Sequence, residues 1–229
     1  MDRQATAGRE PGSSSNEIKH GNSIALSKSV GGVANTDLTE WIVNNKSLVE
    51  EFSMPAIGDK DGSYFIRCTG TERSNANTAD IASVLILDGD KRINEDGESV
   101  SGAPDPALIN EFLTKLKISH CIYSSHSNGA TASELAAKGI DSGGMYGTDY
   151  HKYRVIIPCV YSPEQLPALL DYLFNELHKA GVMLAPVSEN RTWSQAWYFP
   201  RVPDPERLAL FKFYRHDGVA LDVDQIHKD

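Results

Sequence analysis

The chain has 229 residues, 40% of them hydrophobic and 8% aromatic, enough to bury one sizeable core and carry flanking segments. With 22 basic against 31 acidic residues the formal net charge is −9, which excludes a protein that coats duplex DNA through a generally basic surface. No apolar stretch approaches the ~20 residues of a membrane span, residues 1–21 hold no apolar signal core, and Cys68, Cys121 and Cys159 lack CxxC spacing, so three buried thiols in a reducing cytoplasm are expected, with no membrane partner.

Residues 1–36 are rich in Ser, Gly, Asn and charge and predict a disordered or linker tail, with the folded domain spanning 37–229. An amphipathic stretch (DLTEWIVNNKSLVEEF) then begins, with Asp37 as N-cap and Glu40 at the capping-box position. SYFIRCTG (63–70) reads as a strand followed by a polar loop, and IASVLIL (81–87) as a central strand buried on both faces. DPALINEFLTKLKI (105–118) predicts a helix capped by Asp105 with Pro106 at its first position. SHCIYSS is the next short strand, and the strand–helix–strand order suggests a βαβ-like crossover.

Residues 126–151 form a long Gly- and Ser-rich insert with one helical turn near 132–137, a length typical of lids or disorder. KYRVIIPCVY returns as a strand, and Ser162-Pro163-Glu164 opens a helix that stops at Gly181. SQAWYFPRVP and LALFKFYR read as two more strands, and GVALDVDQI closes the domain. The expected class is α/β (α+β), a mixed sheet flanked by helices at 105–117 and 163–180.

Like charges one residue apart resist burial, so Asp88-Gly89-Asp90 at the end of the apolar strand needs either open water or a compensating cation. A strand end places both carboxylates near the sheet's carboxyl edge, where α/β proteins bind ligands, and oxygen donors suit Mg2+ or Mn2+. An ordinary Asp-Gly hairpin turn is the competing reading. Ser124, Ser125 and His126 follow the next strand and would cradle phosphate, or form a generic polar loop. Lys152 and Arg154 alternate and share a face suited to a triphosphate, or face solvent. In SENRTWSQAWYFPR, Arg191 and Arg201 interleave with aromatics able to stack bases, while Trp197 and Phe199 share the face expected to pack in the core.

Taken in order, these motifs resemble the primase-polymerase domains of the archaeo-eukaryotic primase superfamily, in its plasmid and phage branch. The resemblance covers residues 67–226: the loop RSNANT, Asp88-x-Asp90, Ser124-Ser125, the K-x-R-h-h-h-P strand from Lys152 to Pro158, Ser194 to Pro200, and Gly218 to Val223. It implies a DNA-directed primase or polymerase that performs two-metal nucleotidyl transfer on a single-stranded DNA template, taking nucleoside triphosphates and working with a replicative helicase or helicase module. Asp88 and Asp90 would bind Mg2+ or Mn2+. Ser124, Ser125, Lys152, Arg154 and Ser194 would face the nucleotide, with His126 or His151 as its histidine, and Arg73, Asn77, Arg191 and Arg201 would contact DNA. Ala185 stands where the family places its third carboxylate, so Glu189 substitutes, or the metal site is incomplete, or this chain carries an inactivating Asp→Ala change at 185.

Other Asp-x-Asp readings fit less well. A haloacid-dehalogenase-type phosphatase would not continue into Lys91-Arg92, and a family A glycosyltransferase predicts no K-x-R strand. A toprim-type nuclease requires an earlier glutamate, and a rolling-circle endonuclease a His-hydrophobe-His pair, which this chain lacks. The principal alternative is a catalytically degenerate domain that binds single-stranded or origin DNA.

Overall fold

The structure, a computed structural model, describes residues 23–226. It begins with β1 (Ser23–Ser29), β2 (Thr39–Asn44), α1 (Asn45–Phe52), β3 (Ala56–Ile57), β4 (Tyr64–Ile66) and β5 (Cys68–Gly70). Next come β6 (Thr78–Gly89), the β7 (Lys91–Ile93) and β8 (Ser99–Ser101) hairpin, α2 (Pro106–Lys115), β9 (His120–Ser124) and α3 (Ala132–Ala137). The chain ends with β10 (Tyr153–Tyr161), α4 (Leu166–Lys179), α5 (Ser188–Arg191), β11 (Trp197–Tyr198), β12 (Arg201–Val202), β13 (Phe213–His216) and α6 (Val223–Ile226).

These elements make an α+β fold around two sheets. The larger has strand order β13-β9-β10-β6-β5 and the smaller β11-β4-β1-β2. Alternation along β6 divides its side chains between two cores. Leu85 and Leu87 pack with Val155 and Ile157 against α2 and α4, through Ile109, Leu113, Leu169 and Leu173. Val84 and Ile86 join Ile156 and Tyr123 against the smaller sheet, meeting Leu26, Trp41 and Phe65. Both faces of β6 are thus covered, as its continuous apolar run requires.

Phe52 is fully buried between the sheets, its ring stacked on Tyr123 at 4.9 Å and tilted against Phe65 at 5.3 Å. Phe52→Ala is therefore expected to lower the unfolding free energy by about 3–5 kcal/mol, read from urea denaturation.

Several expectations need correction. The main sheet is not mixed, since every neighbouring pair within it is antiparallel. The crossover from β6 through α2 to β9 leaves a one-strand gap, which β10 fills in the opposite direction. Strand β1 lies inside the stretch expected to be a tail; Ile24 and Leu26 alternate into the core, a period masked by the surrounding Ser and Lys. Residues 1–22 of that stretch lie outside the described residues.

Asp37 caps no helix; it bridges Glu72, and β2 occupies the next residues because Trp41 and Val43 point inward with Ile42 out. The 63–70 strand is broken at Arg67 into β4 and β5, one in each sheet. The expected strand LALFKFYR begins as a 3-10 turn, Glu206–Leu210, and only β13 is extended. The long insert is packed down rather than loose: α3 carries a Thr131–Glu134 capping box, and Leu135 and Tyr150 form a small core of their own. Asp105 caps α2 through Ala107 N–H, as expected. The three thiols are buried and free, and burial pushes them up to about 11 for Cys68 and about 12 for Cys121 and Cys159.

Candidate active-site cleft

The side-chain row Val84–Ile86 on β6 continues to Asp88 and then Asp90, just past the strand end, so the carboxylates stand where the gap between the two sheets opens. The matching row on β10, read backwards from Ile156, is Arg154 and then Lys152. Arg154 and Asp88 are direct partners in the strand register. Opposed cross-strand charges of this kind stabilise one another. Arg154 Nε stands 3.6 Å from Asp88 Oδ1, and the Lys152 ammonium donates to Asp90 Oδ1. Gly89 between the carboxylates is set by packing, because a Cβ there would lie 2.3 Å from the Tyr153 ring.

Both cations are deeply placed, with Lys152 and Arg154 side chains 9% and 10% exposed, while Asp88 is 17% and Asp90 37% exposed. Burial raises the Asp88 carboxyl above its ordinary value, an effect offset in part by Arg154 and reinforced by Asp90. Arg154 is held by donating to the Tyr198 carbonyl at 3.2 Å and by the Trp197 ring, but its Nε makes no hydrogen bond. Asp88 is therefore short of positive charge despite its neighbour.

The carboxylates, Lys152, Arg154, Ser125 and His126 line one cleft. Its other wall is Lys60, Ser127, Tyr198, Phe199 and Arg201. Arg201 supports the 58–62 loop, donating to the carbonyls of Asp59 (2.9 Å) and Asp61 (3.5 Å). Gly62 lies against that guanidinium, where a Cβ would come within 2.5 Å. Between the two candidate histidines the structure separates His126, in the cleft and 3.1 Å from the Gly58 carbonyl, from His151, which faces Asp105 at 4.0 Å and lines no part of the cleft. Burial, against the raising effect of the Gly58 bond, holds the His126 imidazole below its ordinary value and so favours its neutral form.

Other predicted site residues lie elsewhere. Ser124 is buried and its hydroxyl accepts from Lys212 N–H at 2.9 Å, a structural latch. Ser194 is half-buried and outside the cleft lining. Asn77 folds its own loop by donating to Glu72 (2.8 Å) and Ser74 (2.9 Å). Arg191 pairs with Asp171 of α4. Arg73 donates to the Val33 carbonyl at 2.7 Å and stacks on Tyr64; it bears on the cleft only through its charge, which acts on Tyr198.

Sequence reasoning missed Lys60 and Asn190, which carry no local signal. The buried Asn190 accepts from Asp88 N–H at 2.8 Å. An arginine inside the apolar run YFIRC was a signal for Arg67, which is fully buried.

Two hard oxygen donors at an open cleft edge, one of them under-compensated, fit a Mg2+ or Mn2+ ion, which commonly takes one or two carboxylates and completes its shell with water and phosphate. Ala185 is buried and its N–H donates to the Lys91 carbonyl at 3.0 Å, so position 185 stands beside the residue that follows Asp90. Glu189 is exposed, and its charge is the weakest of those acting on Asp88. Among the described residues no group of three or more His, Cys, Asp or Glu is placed to hold a metal, and no helix is long and apolar enough to cross a membrane.

Compared with protein-family models, curated proteins and solved structures, the chain matches none.

Proposed function

We propose that this chain is a primase-polymerase domain of plasmid or phage type, transferring nucleotidyl groups from nucleoside triphosphates on a single-stranded DNA template. The observation that carries the reading is the Asp88/Asp90 pair set directly against Lys152 and Arg154 in one cleft. Asp88 and Asp90 would hold Mg2+ or Mn2+. When bound, such an ion lowers the pKa of an attacking 3′-hydroxyl and spreads charge developing on the phosphoryl group. Lys152 and Arg154 supply the triphosphate's counter-charge from a water-poor wall, and Ser125 and His126 add polar contacts beside them. Arg201 holds the far wall in place.

A second reading, a degenerate single-strand or origin-binding domain, draws on the missing third carboxylate. Synthesis on single-stranded DNA with Mg2+ or Mn2+ separates the two, comparing the chain with Asp88→Ala and Ala185→Asp. Activity abolished by Asp88→Ala is the expected result. Activity only after Ala185→Asp would keep the fold reading and identify position 185 as a missing ligand. Silence throughout, with metal-independent binding of single strands, would favour the binding domain.

A further inference from the structure

Arg67 occupies the single residue at which the chain passes from β4 in the smaller sheet to β5 in the larger. Its side chain is fully buried between the sheets, and it donates to two neutral groups. Nη1 donates to the Tyr161 hydroxyl at 3.1 Å, and Nη2 donates to the Asn190 main-chain carbonyl at 3.0 Å. The guanidinium also lies 5.9 Å from the centre of the Trp197 ring.

Each neutral partner leads to the cleft. Asn190 turns its side-chain carbonyl to Asp88 N–H at 2.8 Å, fixing the backbone that carries the carboxylate. Trp197 meets Arg154 on its ring at 5.7 Å, and the next residue's carbonyl accepts from Arg154. Tyr161 donates to Val84 on β6 at 2.9 Å, in the same strand as Asp88. One buried cation thus touches three supports of the Asp88–Arg154 pair, drawn from both sheets and from α5. A cation buried among neutral partners carries a desolvation cost that no counter-charge offsets, so fold stability alone gives little reason to keep an arginine here.

We propose that Arg67 is a positioning residue, holding Asp88 through Asn190 and Arg154 through Trp197 in the arrangement that binds a divalent cation. The inference rests on the metal site proposed above. Loss of outer-shell partners of metal ligands typically weakens affinity 10–100-fold. Arg67→Met keeps roughly the volume and removes the fork, so Mn2+ affinity should fall by about that factor in a protein that still melts cooperatively. Arg67→Lys keeps charge but not the paired donors, and should recover part of the affinity. Asn190→Ala should weaken Mn2+ binding in the same direction with Arg67 intact.

The experiment is calorimetric titration of the full chain with Mn2+, with Tm measured on the same samples and Asp88→Ala as reference. Wild-type affinity in a folded Arg67→Met overturns the inference. If that variant does not fold, wild-type affinity in Asn190→Ala overturns it instead. Wild type and Asp88→Ala binding Mn2+ alike would overturn the metal site itself, and this role with it.

Discussion

Asp88→Asn is expected to abolish synthesis and, in divalent-free buffer, to raise the melting temperature. Burial sets the Asp88 carboxyl above its ordinary value even with Arg154 beside it, so folding favours the neutral form. The contribution of such a group to stability is full below the unfolded-state value and is lost as pH rises through the raised folded one. Ionising the side chain is therefore a net cost to folding, which asparagine removes while preserving shape. The gain reads as a rise in melting temperature, a domain of this size moving about 2–4 °C per kcal/mol. Wild-type stability should fall as pH is raised through that window, and the variant's curve should be flatter.

Divalent ion reverses the order. At about 100 times its dissociation constant, a ligand specific to the folded state adds ~2.7 kcal/mol, or roughly 5–10 °C here, to wild type. Asp88→Asn should respond little, and its synthesis rate should fall by about 10³-fold or more, as for loss of a central electrostatic group. Differential scanning fluorimetry with EDTA and with Mn2+ reads both signs. A variant that melts below wild type in EDTA would mean that Arg154 outweighs the burial of Asp88.

The second large effect is expected on removing the metal. Without a divalent ion Lys152 is committed to Asp90 and Arg154 to Asp88, and a triphosphate entering the cleft meets two carboxylates before it meets free cations. Neutralising the carboxylates frees both side chains at once. A hydrogen bond to a charged group contributes about 1.5–3 kcal/mol, so releasing Lys152 from Asp90 corresponds to roughly 10–10² in affinity, to which the looser Arg154–Asp88 pair adds. Titration with dATP should therefore show at least about 10-fold weaker binding in EDTA than in Mg2+.

Asp90→Asn gives a distinctive check, because it releases Lys152 without supplying metal. In EDTA it should bind dATP more tightly than wild type, and in Mg2+ less tightly. Equal affinity of wild type with and without the ion would show that the cations hold phosphate independently of the acidic pair.

Local patterns were enough to find the acidic pair and its counter-charges. The apolar run ending at Asp88, the alternation of Lys152 with Arg154, and the Asp105–Pro106 cap all depend on neighbours a few residues away, where strand and helix periods operate. They could not show that Lys152 and Arg154 face Asp90 and Asp88, since that follows from antiparallel register across a separation of more than sixty residues. The same limit explains the main corrections. Strand β1 looked like tail because two apolar residues mean little until a second sheet covers them, and the sheet's uniform antiparallel pairing depended on where β10 inserts. His126 and His151 are equivalent in sequence; loop closure places one in the cleft and turns the other to Asp105. Asn190 and Lys60 acquire their positions only when the two sheets meet, because burial and hydrogen bonding between distant segments have no signature in local period or composition.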